Sequence, residues 1–334
     1  MPPANTQIAG DCPERILEWL NLPSHLGAAK LAGHDLIADL VATELRAVAA
    51  SLASNVNRAI NLSNLPRSFY SNGRRDQLVS VAVNTHLGRS PVLIDAAYWS
   101  EGPAIRAGFR DGSIKPPFPI AFGFGWNEII NGNFDTDSLA AILDLMAQQL
   151  VMVWTAFETL AGDLWEACIN ARPKLGYAAL GATVNPQSAE EEDKKRKAGV
   201  SMPLSLLEEY GFNVRDKMGT ILRRDQKWNF SSRRQSREAY MTVFEKSHHA
   251  AIRVAFDDKR LRWLFAVRNA VVHAAGAADR PYLELAAGHP VLSQVAAGAQ
   301  IPIDGVICYE LVPACLECCR ALLQFVDGWM VSNH

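Results

Sequence analysis

The sequence predicts a mainly α-helical protein. Apolar residues recur at steps of three and four from Leu139 to Cys168, which is the spacing of one helix face. Shorter segments repeat this spacing at about 203–223, 236–252, 258–273 and 313–330. The chain contains no internal repeat, and its 334 residues favour two structural units or one elaborated domain.

The composition is that of a folded globular protein. Apolar residues make up 49% of the chain and charged residues 20%, which excludes wholesale disorder, a collagen and a coiled-coil rod. The 33 basic and 35 acidic residues give a formal charge of -2, so no global field recruits nucleic acid or a membrane. Any site for a polyanion must therefore be local.

The sequence favours a cytoplasmic location. Residues 1–14 lack the basic start and apolar stretch of a signal peptide. The most apolar stretch, Leu150 to Phe157, is well short of the roughly 20 residues that span a bilayer, so no membrane association is expected. Six cysteines are too few for a disulfide scaffold in a chain of this length, which fits a reducing compartment.

We divide the chain into an N-terminal region, residues 1–136, and a helical unit, residues 138–331. In the N-terminal region one amphipathic helix is predicted at about 33–59. The periodicity then fails, and prolines alternate with glycines over 66–136, which predicts irregular connections.

The helical unit opens with the longest predicted helix. Asp137 and Ser138 supply capping oxygens, and Pro173 ends a helix of about 33 residues, or roughly 50 Å. The highly charged stretch 187–199 has no apolar face and predicts an exposed insertion. The segment between His273 and Tyr309 is expected to form a loop or a small hairpin.

One cation lies on the apolar face of the helix predicted at 258–273. Arg268 shares this face with leucine, phenylalanine and valine side chains. An unpaired buried ion costs several kcal/mol, so Arg268 must meet a carboxylate, an interface or a substrate anion. Asn269 and His273 are four residues apart and share a side of the same helix near its end.

The string Arg268-Asn269-x3-His273 resembles the Arg-x4-6-His signature of the HEPN superfamily. The segment W-T-A-F-E-T-L-A-G-D-L, which begins at Trp154, resembles the first long HEPN helix, and Gly305 to Val326 resembles the closing turn and helix. The resemblance covers roughly residues 138–331. Ala274 and Ala275 stand where a polar Asn-Gly frequently follows the histidine.

The resemblance implies a HEPN-like helical bundle that dimerises and acts as a metal-independent endoribonuclease, with RNA as substrate and no cofactor. In this reading His273 transfers protons, since the unperturbed imidazole pKa of about 6.5 lies near working pH. Arg268 stabilises the charge that develops on phosphate oxygens. Asn269 orients the imidazole or binds the phosphate, and Glu158 holds the guanidinium in place.

Two alternatives to this catalytic reading stay open. Arg268 and His273 could form a purely structural pair in a bundle that does not cleave RNA. The protein would then be a non-catalytic interaction or RNA-binding module of a stress, toxin–antitoxin or phage-defence system, with an antitoxin or regulatory protein as a possible partner.

A basic segment runs from Val214 to Arg237, with eight cations against two acids. Trp228 and Phe230 interleave with the cations, a mixture that suits phosphate contacts and base stacking on single-stranded RNA. The alternative is a solvated helix face followed by a loop. The RNA-binding candidates are Arg223, Arg224, Lys227, Trp228, Arg233 and Arg234.

Other motifs predict no site. Cys315, Cys318 and Cys319 lack a second pair of ligands, and their spacing predicts a helical stripe in the core rather than a metal site. The stretch Phe122 to Trp126 has two glycines of a dinucleotide fingerprint but no third. His248 and His249 are adjacent, so they point to different sides of a helix.

Overall fold

The computed structural model describes residues 12–64, 136–181, 204–212, 214–225 and 228–333, with three short pieces at 104–105, 107–108 and 113–115. Its α-helices are α1 (Cys12–Ala28), α2 (46–64), α3 (Thr136–Ala171), α4 (Gly176–Gly181), α5 (Leu204–Glu209), α6 (Met218–Asp225), α7 (Arg233–Val243), α8 (His249–Phe256), α9 (Lys259–His273), α10 (Arg280–Ala286) and α11 (Gly305–Ser332). Across these residues there is no β-strand, only an isolated antiparallel bridge between Ala277 and Gln300. The prediction of a mainly helical protein is confirmed.

Helix α3 forms the centre of the fold. It has 36 residues, and Trp154, Phe157 and Trp165 are fully buried on its inner side. These rings contact aromatic side chains of α8, of α9 and of the segment that precedes α7, and the Trp165 indole N–H donates a hydrogen bond to the Ala239 carbonyl of α7. The part from Leu139 to Ala171 is long and apolar enough to cross a membrane by length and composition, yet here it is the core helix against which α6, α9 and α11 pack.

Helix α11 lies along α3 and completes the core. It begins at Gly305, eight residues before the predicted start at about 313, because the Asp304 carboxylate caps it by accepting the Ile307 N–H at 2.9 Å. Pro313 lies inside the helix, which continues through it. The thiols of Cys308, Cys315 and Cys319 are fully buried, as a core stripe requires.

The N-terminal helices pack on the same core. Helix α1 precedes the first element that the sequence analysis identified. Its Trp19 indole N–H donates to Gln149 Oε1 at 2.7 Å, and Gln149 Nε2 donates to the Ala59 carbonyl of α2 at 2.9 Å. One buried amide on α3 therefore joins three helices.

The helix predicted at 33–59 occupies 46–64 in the structure and follows a 3-10 turn at Thr43–Leu45. Residues 33–39 form bends and turns instead. The buried carboxylate of Asp327 on α11 accepts the backbone N–H groups of Val41 and Ala42, the latter at 2.7 Å. A long-range partner thus satisfies backbone donors that a continuous helix would have paired internally.

The shorter predicted helices are divided by turns in the structure. The segment predicted at 203–223 forms α5 and α6 with a turn between them, and that at 236–252 spans α7, a 3-10 turn and the start of α8. The segment from 274 to 304 contains the short helix α10, a 3-10 turn and the single bridge. The insertion at 187–199, the stretch 122–126, most of 66–136 and Lys227 lie outside the described residues.

Candidate functional site

Helix α9 carries the arginine–histidine motif. Asp258 caps its start by accepting the Arg260 N–H at 2.7 Å, and Leu261 and Leu264 anchor its inner face in the core. Arg268 lies at the edge of this face, with a side chain that is 20% exposed. The crossing of α9 over α3 places it beside Glu158.

The guanidinium of Arg268 is held from two sides. Its Nη2 lies 3.8 Å from Glu158 Oε2, and its Nη1 donates a hydrogen bond to Asn269 Oδ1 at 3.0 Å. Its Nε is buried and has no hydrogen-bond partner among the described residues. The apolar face thus carries a cation with a carboxylate partner, one of the three arrangements that the sequence required.

Glu158 occupies an unusual environment for a carboxylate. Its side chain is only 16% exposed, and Oε1 is buried without a hydrogen-bond partner in the described part of the chain. Burial raises the pKa of Glu158 above its ordinary value, an effect that the nearby Trp154 indole N–H and Arg268 partly offset. The Trp154 indole N–H is itself buried and makes no full hydrogen bond within the described part of the chain. Incompletely satisfied, perturbed groups of this kind cluster at functional sites.

His273 is the last residue of α9 and is exposed. It follows Arg268 by five residues, which is roughly 140° around the helix, so the two side chains leave different sectors of α9. The structure therefore brings Arg268, Asn269 and Glu158 together, whereas His273 faces solvent beside the exposed Val272. The imidazole therefore does not pack in the core.

The helix ends in a left-handed turn directly after His273. Ala275 has a φ of 49° and Gly276 a φ of 79°, and the Gly276 N–H closes the turn on the Ala270 carbonyl at 2.9 Å. Ala275 stands where Asn or Gly is commonly found, and its positive φ is a conformation that those residues favour.

The arginines of the basic segment are paired with acids from elsewhere in the fold. Arg223 Nη1 donates to Asp163 at 2.7 Å and to Glu166 at 2.9 Å. The remaining candidate arginines also have acidic partners: Arg224 with Glu209, Arg233 with Asp257, and Arg234 with Glu238. The local excess of cations along the sequence is therefore largely compensated in space.

Trp228 and Phe230 lie in the core. Trp228 is 7% exposed, and both rings contact Trp165 of α3 at centroid distances of 5.6 Å. Their faces pack against protein rather than lying open for base stacking. The pattern of aromatic residues among cations here reflects helix packing.

A shallow depression of about 370 Å³ lies beside Glu158. Its other lining residues come from α3, from α6 and from the segment before α7: Thr159, Arg223, Trp228, Asn229, Phe230 and Ser231. Glu158 therefore contacts both the motif arginine and this depression. Sequence analysis did not single out Thr159, Asn229 or Ser231 as site residues.

Two glycines allow α6 to approach α3. A side chain on Gly219 would overlap the backbone of Glu166, and one on Gly162 would meet the Arg223 guanidinium. Close approach at this crossing brings Arg223 to Asp163 and Glu166. Nothing in the sequence marks these two glycines, and their role at this crossing becomes evident only in the folded chain.

The structure offers no metal centre in the ranges that it describes, since no three His, Cys, Asp or Glu side chains lie close enough to share an ion. Burial raises the pKa of the Cys308 and Cys315 thiols well above their ordinary value. Such thiols are poor nucleophiles and poor metal ligands at neutral pH.

Comparison with known proteins gives no match: no family model, no curated protein and no solved structure is significantly similar to this chain.

Proposed function

We propose that the protein is a metal-independent endoribonuclease of HEPN type. The observation that carries the proposal is the position of Arg268, a cation held by Glu158 and Asn269 at the edge of a buried helix face, five residues before an exposed histidine. A fixed guanidinium can meet phosphate oxygens without reorganisation, and an exposed imidazole can transfer protons.

The reaction uses the RNA itself as nucleophile. The imidazole of His273 accepts the proton of a ribose 2'-hydroxyl, and the 2'-oxygen attacks the adjacent phosphorus. The bond from phosphorus to the 5'-oxygen breaks, and that oxygen takes a proton from a second, protonated imidazole. The products are a 2',3'-cyclic phosphate and a free 5'-hydroxyl, with Arg268 stabilising the charge on the non-bridging oxygens.

This chemistry requires a second copy of the chain. One subunit supplies a single exposed histidine in the motif, and Arg268 and His273 leave α9 in different sectors. A twofold arrangement of the α9 ends would place His273 of each copy beside the Arg268 of the other. The exposed Val272 gives this end of α9 apolar surface for such an interface.

The test is cleavage of single-stranded RNA in excess chelator. Wild-type protein should cleave and leave a cyclic phosphate, and His273→Ala should lower the rate by about 100-fold or more. His34→Ala is the matched control, because His34 is also exposed and lies in the N-terminal region. Equal rates for wild type and His273→Ala, or cleavage only with added metal, would refute the proposed mechanism.

A non-catalytic interaction module, acting with a regulatory protein or an antitoxin in a stress or phage-defence system, is the second candidate. The pairing of the basic segment with acids favours it, because it leaves few free cations there to hold an RNA strand. This candidate predicts a folded protein that does not cleave RNA and whose His273→Ala variant behaves like wild type.

A further inference from the structure

The depression beside Glu158 has the composition of a site for a planar polar ligand. It combines two aromatic residues, Trp228 and Phe230, with a carboxylate, two hydroxyl groups, an amide and a guanidinium. Its volume of about 370 Å³ lies near the lower end of the roughly 300–1,000 Å³ that small-molecule sites span.

Two lining atoms have unused hydrogen-bonding capacity. Glu158 Oε1, an acceptor, and Trp228 Nε1, a donor, are both buried and without partners among the residues that the structure describes. A buried polar atom without a partner destabilises the protein, so a ligand that satisfies both atoms gains binding energy by removing that cost. Neither atom is solvent-accessible in this state, so binding requires both side chains to rotate toward the ligand.

The charges around the depression favour a neutral ligand over a phosphate. Arg223 and Arg268 supply two positive charges, and the three acids that contact them, Glu158, Asp163 and Glu166, supply three negative ones. A phosphate group inside the depression would be repelled by this excess of acid, so a neutral group must fill it and any phosphate attached to that group must lie outside. A ligand that donates N–H groups to a carboxylate and accepts from an indole N–H would bind.

We propose that this depression binds a guanine base. Guanine places two N–H donors side by side on its Watson–Crick edge, the pattern that a carboxylate accepts, and its O6 carbonyl lies next to them to accept from an indole N–H. The base belongs either to an unpaired position of RNA or to a free guanine nucleotide. In RNA it would lie near the scissile phosphate, because Glu158 also contacts Arg268; this placement rests on the proposed function.

The first experiment measures binding by isothermal titration calorimetry with the full chain carrying His273→Ala, so that RNA is not consumed. Guanosine 5'-monophosphate should bind about tenfold or more tightly than adenosine 5'-monophosphate. Glu158→Gln and Trp228→Phe should each weaken guanosine monophosphate by about tenfold. Equal affinity for the two nucleotides, or no binding of either, would overturn the inference.

Two further variants control for folding. Glu158→Gln removes the ion pair of Arg268 and could disturb the bundle, whereas Ser231→Phe fills the depression from an exposed position and should abolish guanosine monophosphate binding while the thermal midpoint stays unchanged. Glu317→Gln, at an exposed carboxylate on α11, should bind as the parent does. Undiminished binding by a folded Ser231→Phe protein would place the ligand elsewhere.

The source of the base is resolved by comparing an all-adenine oligonucleotide with one that contains a single guanine. Tighter binding of the guanine oligonucleotide indicates a base of RNA; binding of the mononucleotide alone indicates a site for free guanine nucleotides.

Cleavage without any preference near guanine would overturn the placement beside the scissile phosphate and leave the ribonuclease proposal standing. Guanine binding by a protein that does not cleave RNA would refute the ribonuclease proposal and leave the guanine site standing.

Discussion

Arg268 of α9 and Glu158 of α3 form a half-buried ion pair that joins the two helices, with Nη2 of the arginine 3.8 Å from Oε2 of the glutamate. Removing one member leaves the other charge without its partner in a place where water screens it poorly. We expect Arg268→Met and Glu158→Gln each to lower the free energy of unfolding by about 1–3 kcal/mol. The double variant should lose less than the sum, with a coupling of about 0.5–3 kcal/mol in urea denaturation.

This cycle also separates the contribution of Arg268 to stability from the catalytic role that we propose for it. An Arg268 variant that remains folded yet fails to cleave RNA would show a role for the guanidinium beyond packing. Strictly additive single effects, to within about 0.5 kcal/mol, would mean that the contact contributes nothing to the fold.

Gly219 sets the approach of α6 to α3. A Cβ at this position would overlap the carbonyl oxygen of Glu166, a backbone atom that cannot move without shifting a helix. We expect Gly219→Ala to lower the free energy of unfolding by about 1–3 kcal/mol and to weaken the pairing of Arg223 with Asp163. Differential scanning calorimetry measures the loss.

The matched control is Gly328→Ala. Gly328 lies inside α11, and a Cβ there would meet no atom within 4 Å. Alanine costs less backbone entropy than glycine in a helix, so this change should leave the protein unchanged or stabilise it by up to about 1 kcal/mol. If both variants lose stability equally, the crossing of α6 and α3 is not as close as described.

Helix α9 shows what the sequence could predict and why. Its apolar residues keep the helical period from end to end, and Asp258 provides a cap directly before it, so the predicted range 258–273 lies within one residue of Lys259–His273. Local pattern decides local structure here. The confirmed prediction of a mainly helical protein depends on several segments of this kind.

The surroundings of Arg223 show why the ion pairs of the basic segment could not be predicted from the sequence. Its partners Asp163 and Glu166 are 60 and 57 residues away along the chain, and their approach depends on the glycines at the crossing of α3 and α6. Counting charges along a segment cannot detect acids that another helix supplies. Residues 33–39 were predicted to be helical but form turns, again because of a partner that is distant in sequence. The backbone N–H groups of Val41 and Ala42, which follow these turns, donate to the Asp327 carboxylate on α11.

The Asp258 carboxylate, which caps α9, makes the stability of the protein depend on pH. Burial raises the pKa of Asp258, but hydrogen bonds from the Arg260 side chain and backbone lower it further than burial raises it, so its pKa lies below the usual 3.8. A carboxylate whose pKa is depressed by folding stabilises the protein fully above its unfolded-state pKa and loses that contribution as the pH falls through the folded-state pKa. The stabilisation is therefore complete above about pH 5 and disappears in stronger acid.

Asp258→Asn keeps a capping oxygen and removes the charge that Arg260 contacts at 2.7 Å. We expect the variant to be less stable than wild type near pH 7, and the difference to shrink as the pH falls to about 3, while Asp258→Ala costs about 1 kcal/mol more by losing the cap. Urea unfolding across this range measures both effects. Glu284→Gln, which breaks an exposed pair with Arg280, should change stability by less than about 0.5 kcal/mol. A gap between wild type and Asp258→Asn that stays constant from neutral to acid pH would show that the charge of Asp258 does not stabilise α9.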